Sequence, residues 1–244
     1  MPFSSPARPF PSTGAPEVVP RATGVLRLGR RVFGPDQLLV MAVVPWARDA
    51  AAAMERVHGV VAEGADIVEV ADRRGGEVDE REEIRRTVPF IATVRDAYPE
   101  LVIGVSTGRD EVAREACAAG ADVLSGSGWG VAASFGAGVV CPLGLAASAV
   151  AAGVEPERVI VGFSGVRELE AIGWPVLVSL SDQDPAGSLA LAAVTAWRGA
   201  RVFRVDQVRE TRRVLRMVSA IRGDIPPAAA VRGLALGPAG RPGN

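Results

Sequence analysis

The feature that most constrains the fold is a regular alternation of short apolar runs with alanine-rich amphipathic segments, with glycine at many of the joins. Continuous apolar strands are typical of a sheet that is buried on both faces. Strands that alternate with helices favour a parallel sheet, and eight of them favour a closed (β/α)₈ barrel over an open doubly wound sheet. The eight predicted strands lie at residues 38–44, 65–70, 101–106, 121–126, 137–141, 158–163, 175–180 and 201–205.

Turn and capping signals place the other elements. Residues 25–33 read as a β-hairpin that turns at Gly29 and Arg30. Asp184 followed by Pro185 is typical of a helix N-cap and first helical position. The glycine-rich stretch 126–138 lacks the lysine and spacing of a phosphate-binding loop, so we expect a flexible connection there. Helices are predicted at 51–64, 80–97, 110–119, 185–198 and 208–221, and the connections 142–157 and 164–174 are short for such a fold.

Only the middle of the chain carries these signals. Residues 1–22 are rich in Pro, Ser and Ala without a period, and we expect them to be disordered. Residues 226–244 are equally poor in signals and form a predicted C-terminal tail. The sequence therefore predicts a single barrel domain over residues 23–225.

The composition excludes several classes of function. A formal net charge of −1 offers no basic field for nucleic acid or for an anionic membrane surface. All 27 cationic side chains are arginines, which excludes a Schiff-base lysine. One histidine cannot form a His-based metal site, and we expect Cys117 and Cys141 to be buried, reduced thiols. No apolar run is long enough to span a membrane, so we expect a cytoplasmic protein.

Seven stretches fall in the order and contexts of one enzyme family. They are LVMAVVP, GADIVEV, LVIGVST, EACAAGADVL, AGVEPERVIV, GWPVLVSLS and GARVFRVDQVRETRRVLRMV. In these stretches the chain resembles dihydropteroate synthase, a pterin-binding TIM barrel, from about Leu26 to Arg232. It most resembles the second actinobacterial paralogue of that family, which is regarded as inactive, and the ending IRGDIPPAAAVRGLA is similar to the end of that paralogue.

The resemblance implies a reaction and a set of site residues. The family joins p-aminobenzoate to a hydroxymethyl-dihydropterin pyrophosphate, and Mg²⁺ assists departure of the pyrophosphate. This chemistry needs an anion clamp, a metal-facing Asn or Asp, and a carboxylate that holds the pterin ring. In a barrel these groups belong at the carboxyl ends of the strands.

Most of the family's site residues are replaced in this chain. Pro45 stands where the family has the metal-facing Asn, so we expect no Mg²⁺ site and no cofactor. Ser106 stands in place of the pterin-holding Asp, and a neutral hydroxyl cannot form its charge-assisted bonds. Arg204 and Ser181 are retained, and Glu69 is a conservative change. Further replacements are Ser125 and Gly126 for Asn-Asp, Gly162 and Phe163 for Asp-Pro, Gln183 for the lysine, and Asp206 for the histidine.

The residues that remain leave two hypotheses open. The first is a degenerate dihydropteroate synthase homologue without synthase activity that acts by binding or association. The alternative is a repurposed barrel enzyme of the transferase or lyase type acting on an anionic small molecule, or residual synthase activity in the folate pathway. Arg204 and Asp206 are the candidate catalytic residues, and Asp72 is a further candidate of the alternative. The ligand-binding and anion-binding candidates are Glu69, Arg73, Arg74, Ser106, Ser181, Gln183 and Arg204.

Three further expectations concern single residues and assembly. We expect Asp206 to pair with nearby Arg204 rather than to act as an acid or base. Trp46 and Trp129 either stack on a flat ligand or fill the vacated pocket, and the second is favoured. The family dimerises through helices late in the barrel, which implies a homodimer through helices 185–198 and 208–221. Val214, Val218 and Ile221 are predicted to dock on the barrel, and Trp197 is predicted to face the partner.

Overall fold

The computed structural model describes residues 24–45, 49–71, 79–163, 173–180 and 184–226. A two-stranded antiparallel hairpin comes first, formed by β1 (Leu26–Leu28) and β2 (Arg31–Phe33). Its turn holds Gly29 at a φ of +54°, a conformation that glycine adopts without steric cost. The hairpin predicted at 25–33 is confirmed. The predictions for residues 1–22 and for most of 226–244 lie outside the described residues.

Eight parallel strands close into a barrel, as predicted. Around the barrel each strand pairs with the next one in the chain, and β10 pairs with β3 to close it. Each predicted strand is found within two residues of its expected bounds. The strands are β3 (Leu39–Pro45), β4 (Ile67–Ala71), β5 (Val102–Thr107), β6 (Val123–Gly126), β7 (Gly138–Pro142), β8 (Val159–Phe163), β9 (Val176–Ser179) and β10 (Val202–Val205).

Helices follow most of the strands, and aspartates cap three of them. Asp49, Asp79 and Asp184 each accept hydrogen bonds from backbone N–H groups in the first turn, and Pro185 is the first helical residue, as predicted. The helices are α1 (Ala50–Ala62), α2 (Glu80–Ala97), α3 (Asp110–Ala118), α4 (Trp129–Phe135), α5 (Ala146–Ala151), α6 (Pro185–Trp197) and α7 (Val208–Arg222). None of the helices in the described ranges is long and apolar enough to cross a membrane.

The expectation of a flexible connection at 126–138 was wrong, because α4 lies there. Gly128 and Gly136 adopt left-handed conformations on either side of this helix, with φ of +86° and +63°. The glycines therefore end the helix rather than prevent it, and the alanines and valine between them are compatible with it. The connection 142–157 is short, as predicted, and holds only the six-residue α5 and two single-turn 3₁₀ helices.

The inside of the barrel is a separate apolar core. Four branched side chains from alternate strands, Ile67, Val123, Ile160 and Val202, form one layer of it. The hairpin closes the end of the barrel below this layer with Leu26, Leu28 and Phe33. Arg201 attaches the hairpin, because its guanidinium donates to the carbonyl oxygens of Gly24 (2.8 Å) and Gly34 (2.5 Å).

The outer face of the barrel packs against the helices, and here one prediction fails. Val218 of α7 is buried, as predicted, together with Leu215. Ile221 was expected to dock on the barrel but is 65% exposed. The buried face of α7 passes through Thr211, Leu215 and Ser219, and this turns Ile221 outward.

Candidate functional site

A polar layer lies directly above the aliphatic layer, toward the carboxyl ends of the strands. Side chains two residues apart on a strand point to the same face. The residues two positions beyond Ile67, Val123, Ile160 and Val202 therefore also point into the barrel. They are Glu69, Ser125, Gly162 and Arg204. Catalytic and binding residues of such barrels come from this end, so this layer is the candidate site.

Three of the four positions interact with one another: Arg204 and Glu69 form an ion pair, and the hydroxyl of Ser125 bonds to both. Nη2 of Arg204 donates to Oε1 of Glu69 at 2.6 Å and to Oγ of Ser125 at 3.2 Å. The Ser125 hydroxyl donates to the same Oε1 at 2.6 Å. Only 2% of the Glu69 side chain is exposed, against 23% for Arg204. Glu69 is therefore a buried carboxylate that receives two hydrogen bonds from within the barrel.

The fourth position is Gly162, which has no side chain. A Cβ built there would meet one described atom outside the neighbouring residues within 4 Å, the carbonyl oxygen of Cys141 at 3.8 Å. Nε of Arg204 is buried and has no hydrogen-bond partner among the residues that the structure describes. Among the described residues, the layer thus has a net charge of zero, no side chain at its fourth position and one buried donor without a partner.

The structure brings together only part of the predicted site. Glu69 and Arg204 meet, although 135 positions separate them in the sequence. Ser106 pairs in register with Ser125 at the end of β5, but its side chain is exposed and makes no hydrogen bond with the described residues. The candidates Arg73, Arg74, Ser181 and Gln183, together with Asp72, lie outside the described residues.

The ion pair described for Arg204 is with Glu69, and the expected pairing of Arg204 with Asp206 stays a prediction. Asp206 follows the end of β10, is partly buried, and is not without a partner. Two residues along a strand separate the Cα atoms by about 6.5 Å on the same face. The long Arg204 side chain instead extends across the barrel to β4 and β6, where Glu69 and Ser125 lie.

Ser125 is a member of the candidate site that the sequence does not mark out as one. It was counted only as a lost Asn, yet its hydroxyl bridges Glu69 and Arg204. The two-residue alternation of a strand is the signal that could have identified it, since Ser125 follows the inward-pointing Val123 by two residues.

Trp129, expected to fill the vacated pocket, packs instead against the core between barrel and helices. Its indole N–H donates to the carbonyl oxygen of Gly126 at 3.2 Å. Trp46 lies outside the described residues.

The residues that the structure describes do not form a magnesium site. Mg²⁺ requires oxygen ligands, and the side chain of Pro45 at the end of β3 offers none. Within the described ranges no group of three or more His, Cys, Asp or Glu side chains could hold a metal ion. The Glu69 carboxylate already accepts from Arg204 and Ser125. The loss of the family's Mg²⁺ remains a prediction, and no step of a reaction is derived through the metal.

The two thiols are buried, as expected. Burial raises the pKa of Cys117 to about 11, and the negative charge of Asp122 adds to the shift. Burial likewise raises the pKa of Cys141 to about 11. Both thiols are therefore protonated at neutral pH and are poor nucleophiles.

Comparison with known proteins assigns the family. Residues 45–132 match the model of the pterin binding enzyme family. The chain is 38% identical to inactive dihydropteroate synthase 2 of Mycobacterium tuberculosis (strain H37Rv), over 85% of this chain and 90% of that protein. It is 37% identical to the protein of the same name from Mycobacterium leprae, over 84% and 98%. A dihydropteroate synthase of Streptococcus pyogenes matches only 30% of this chain, at 36% identity.

Solved structures support the same assignment. Mycobacterium tuberculosis Rv1207 superposes with a TM-score of 0.73 at 39% identity, covering 82% of this chain and 99% of that one. A Yersinia pestis dihydropteroate synthase superposes with a TM-score of 0.74 over the same shares, and its 21% identity supports the fold alone. The identity to the mycobacterial proteins, the extent of the match and the shared barrel show that the chain belongs to the dihydropteroate synthase family.

Proposed function

We propose that this protein is a degenerate dihydropteroate synthase homologue that does not form dihydropteroate and acts through binding or association. The Glu69–Arg204–Ser125 network carries the proposal. Arg204 is retained, yet the chain itself supplies the carboxylate and hydroxyl that satisfy it. The proteins named inactive dihydropteroate synthase 2 match this chain over most of its length, and the synthase of Streptococcus pyogenes over much less.

The strand ends supply a second argument. Pro45, Ser106 and Gly162 stand where the family needs a metal ligand and carboxylates. Each lost bond to a charged group would weaken substrate binding by about 1.5–3 kcal/mol, and several such losses together remove useful affinity. The repurposed-enzyme alternative gains nothing from the described residues, since Arg204 has an internal partner.

A synthase assay tests this proposal. Purified protein with both substrates and Mg²⁺ should form no product above a blank, and Mg²⁺ with pyrophosphate should not raise its melting temperature. Turnover comparable to an ordinary synthase would overturn the proposal. Thermal stabilisation by one compound from a metabolite pool, followed by chemical conversion of that compound, would instead favour the repurposed enzyme.

We further propose that the protein is a cytoplasmic homodimer that associates through α6 and α7. Trp197 and Val194 of α6 are 59% and 50% exposed, and Met217 and Ile221 of α7 are 52% and 65% exposed. Met217 and Ile221 also line a groove of about 580 Å³ on α7. The two helices pack against each other, and several large exposed apolar side chains on such a pair favour a protein interface. The partner proposed is a second copy, which would bury the same patch on both subunits.

Light scattering with two variants tests the dimer. Trp197→Arg should convert a dimer into a monomer of 25.3 kDa while the circular dichroism of the barrel stays largely unchanged. Val32→Arg is the matched control, because Val32 is 55% exposed on the hairpin and outside the proposed interface. A wild-type protein that is monomeric at micromolar concentration would refute the proposal, and so would a Trp197→Arg variant that stays dimeric.

A further inference from the structure

A cavity of about 240 Å³ lies at the amino end of the barrel, between the hairpin and α7. Its lining includes Leu39, the first residue of β3, and Asp66, which directly precedes β4. The cavity is therefore at the end of the barrel opposite the candidate site, and all the side chains that line it lie within the described residues. Its volume suits a small molecule rather than a drug-sized one.

Each aspartate in the wall of this cavity has an arginine close to it. One arginine lines the cavity and the other two stand behind the wall. The pairs are Asp66 with Arg212, Asp224 with Arg222 at 3.0 Å, and Asp36 with Arg201, where burial lowers the pKa of the arginine and the charge of Asp36 opposes that shift. The three carboxylates are thus already balanced by positive charge.

Two further arginines of the wall are not balanced in this way. Arg216 of α7 is exposed and forms no ion pair or hydrogen bond with the part of the chain that the structure describes. Arg31 of the hairpin is 4.0 Å from the already paired carboxylate of Asp66 and 3.5 Å from its carbonyl oxygen, both at the limit of contact. The guanidinium of Arg31 lies 4.6 Å from the centre of the Phe33 ring, which holds it at the wall. The cavity therefore carries an excess of positive charge, although the net charge of the chain is −1.

The wall also offers apolar surface. Leu38 and Leu215 line the cavity, and Ile225 at its edge is 37% exposed. A ligand that satisfies both kinds of wall has an acidic head and a short apolar stem. A carboxylate suits the head, because its two oxygens match the planar fork of a guanidinium.

We propose that this cavity binds a small carboxylate with a short apolar stem, with Arg31 and Arg216 at the carboxylate and Leu215 and Ile225 against the stem. The site binds without chemistry, since the catalytic groups of such barrels stand at the carboxyl ends of the strands. It goes beyond the proposed function and does not depend on it. A synthase assay that yields product would overturn the proposed function and leave this site intact.

Isothermal titration of the full 244-residue protein with hexanoate tests the proposal. Hexanoate should bind with a Kd of about 1 mM or tighter, as expected for a ligand of its size. Butyrate should bind about tenfold more weakly, because each CH₂ group that is buried tightens binding about fourfold. 1-Hexanol, which keeps the stem and lacks the charge, should also bind about tenfold more weakly or less.

Three variants locate the ligand. Arg31→Met and Arg216→Met should each weaken hexanoate binding by about tenfold or more, since each removes hydrogen bonds to a charged group. Arg213→Met is the matched control, because Arg213 is an exposed arginine three residues earlier on α7 that does not line the cavity. Circular dichroism checks that each variant is folded.

Several results would overturn the proposal. One is a wild-type protein that shows no binding of hexanoate up to about 10 mM. Another is binding that Arg31→Met leaves unchanged or that Arg213→Met weakens equally, because Arg213 and Arg216 both line the neighbouring groove on α7 and the ligand would then lie there. Equal affinity for butyrate and hexanoate would refute the contact with the stem.

Discussion

Replacing Arg204 by methionine should destabilise the barrel far more than the loss of an ordinary ion pair. The substitution keeps a long apolar stem but leaves the Glu69 carboxylate, 2% exposed, with only the Ser125 hydroxyl as its partner. At 2.6 Å and an effective dielectric constant of about 20, the two charges attract each other by about 6 kcal/mol. Desolvation costs several kcal/mol for each ion, so the intact pair contributes little net stability.

Removing one partner eliminates the attraction and leaves the desolvation cost of the other. We therefore expect Arg204→Met to lower the free energy of unfolding by about 3–5 kcal/mol. The double variant Glu69→Gln/Arg204→Met buries no charge in this layer and should recover about 2 kcal/mol or more of that loss. Urea unfolding followed by circular dichroism measures all four proteins of the cycle.

An exposed pair provides the scale for this measurement. Arg209 and Glu63 are 3.2 Å apart with side chains 58% and 30% exposed, so Arg209→Met should cost less than about 1 kcal/mol. If Arg204→Met lowers the free energy of unfolding no more than Arg209→Met does, the Glu69 carboxylate does not depend on Arg204 as the distances indicate. A double variant less stable than Arg204→Met would equally refute the reasoning.

Three further predictions concern the lower barrel and the thiols. Gly29→Ala should destabilise by more than about 1 kcal/mol in urea unfolding, because its φ is positive and a Cβ would lie 2.3 Å from the Asp122 carboxylate; an unchanged midpoint would contradict this. Arg95→Met should cost about 3 kcal/mol or more, since Arg95 donates to Asp122 (2.5 Å) and to several carbonyl oxygens, whereas an exposed arginine changed in the same way should not. Cys117 and Cys141, each with a pKa of about 11, should react with a thiol reagent at pH 8 only on unfolding. Their raised pKa values predict that stability falls as pH rises from about 9 to 11, because unfolded thiols ionise first, and rapid labelling of the folded protein would refute the assignment.

Much of the fold follows from local signals in the sequence. Helix α2 begins and ends at the predicted residues, Glu80 and Ala97. Its start is recognisable because an aspartate caps it and acidic residues fill its first turn. The strands are recognisable because their apolar runs are buried on both faces. Helix α4 was missed because its flanking glycines were interpreted as flexibility, whereas they occupy the left-handed positions at its two ends.

The sequence predicts only part of the membership of the candidate site and none of its contacts. Glu69 and Arg204 were both identified as survivors, yet their pairing depends on which strands contribute to one layer of the barrel. That depends on the register of the closed sheet, which residues 135 positions apart do not reveal locally. Ser125 was undervalued for the same reason. Its contribution is a hydroxyl placed between two other side chains rather than a charge visible in the sequence.

The layered interior explains how such a barrel keeps its fold while its site changes. The aliphatic layer and the hairpin below it bury apolar surface regardless of what lies above. The upper layer stands at the strand ends, where Ser125 and Gly162 fill less space without opening the lower core. Arg204 and Glu69 are different, since losing either one alone leaves a buried charge. Their joint presence therefore has a structural cause, and retention of Arg204 does not by itself indicate a ligand.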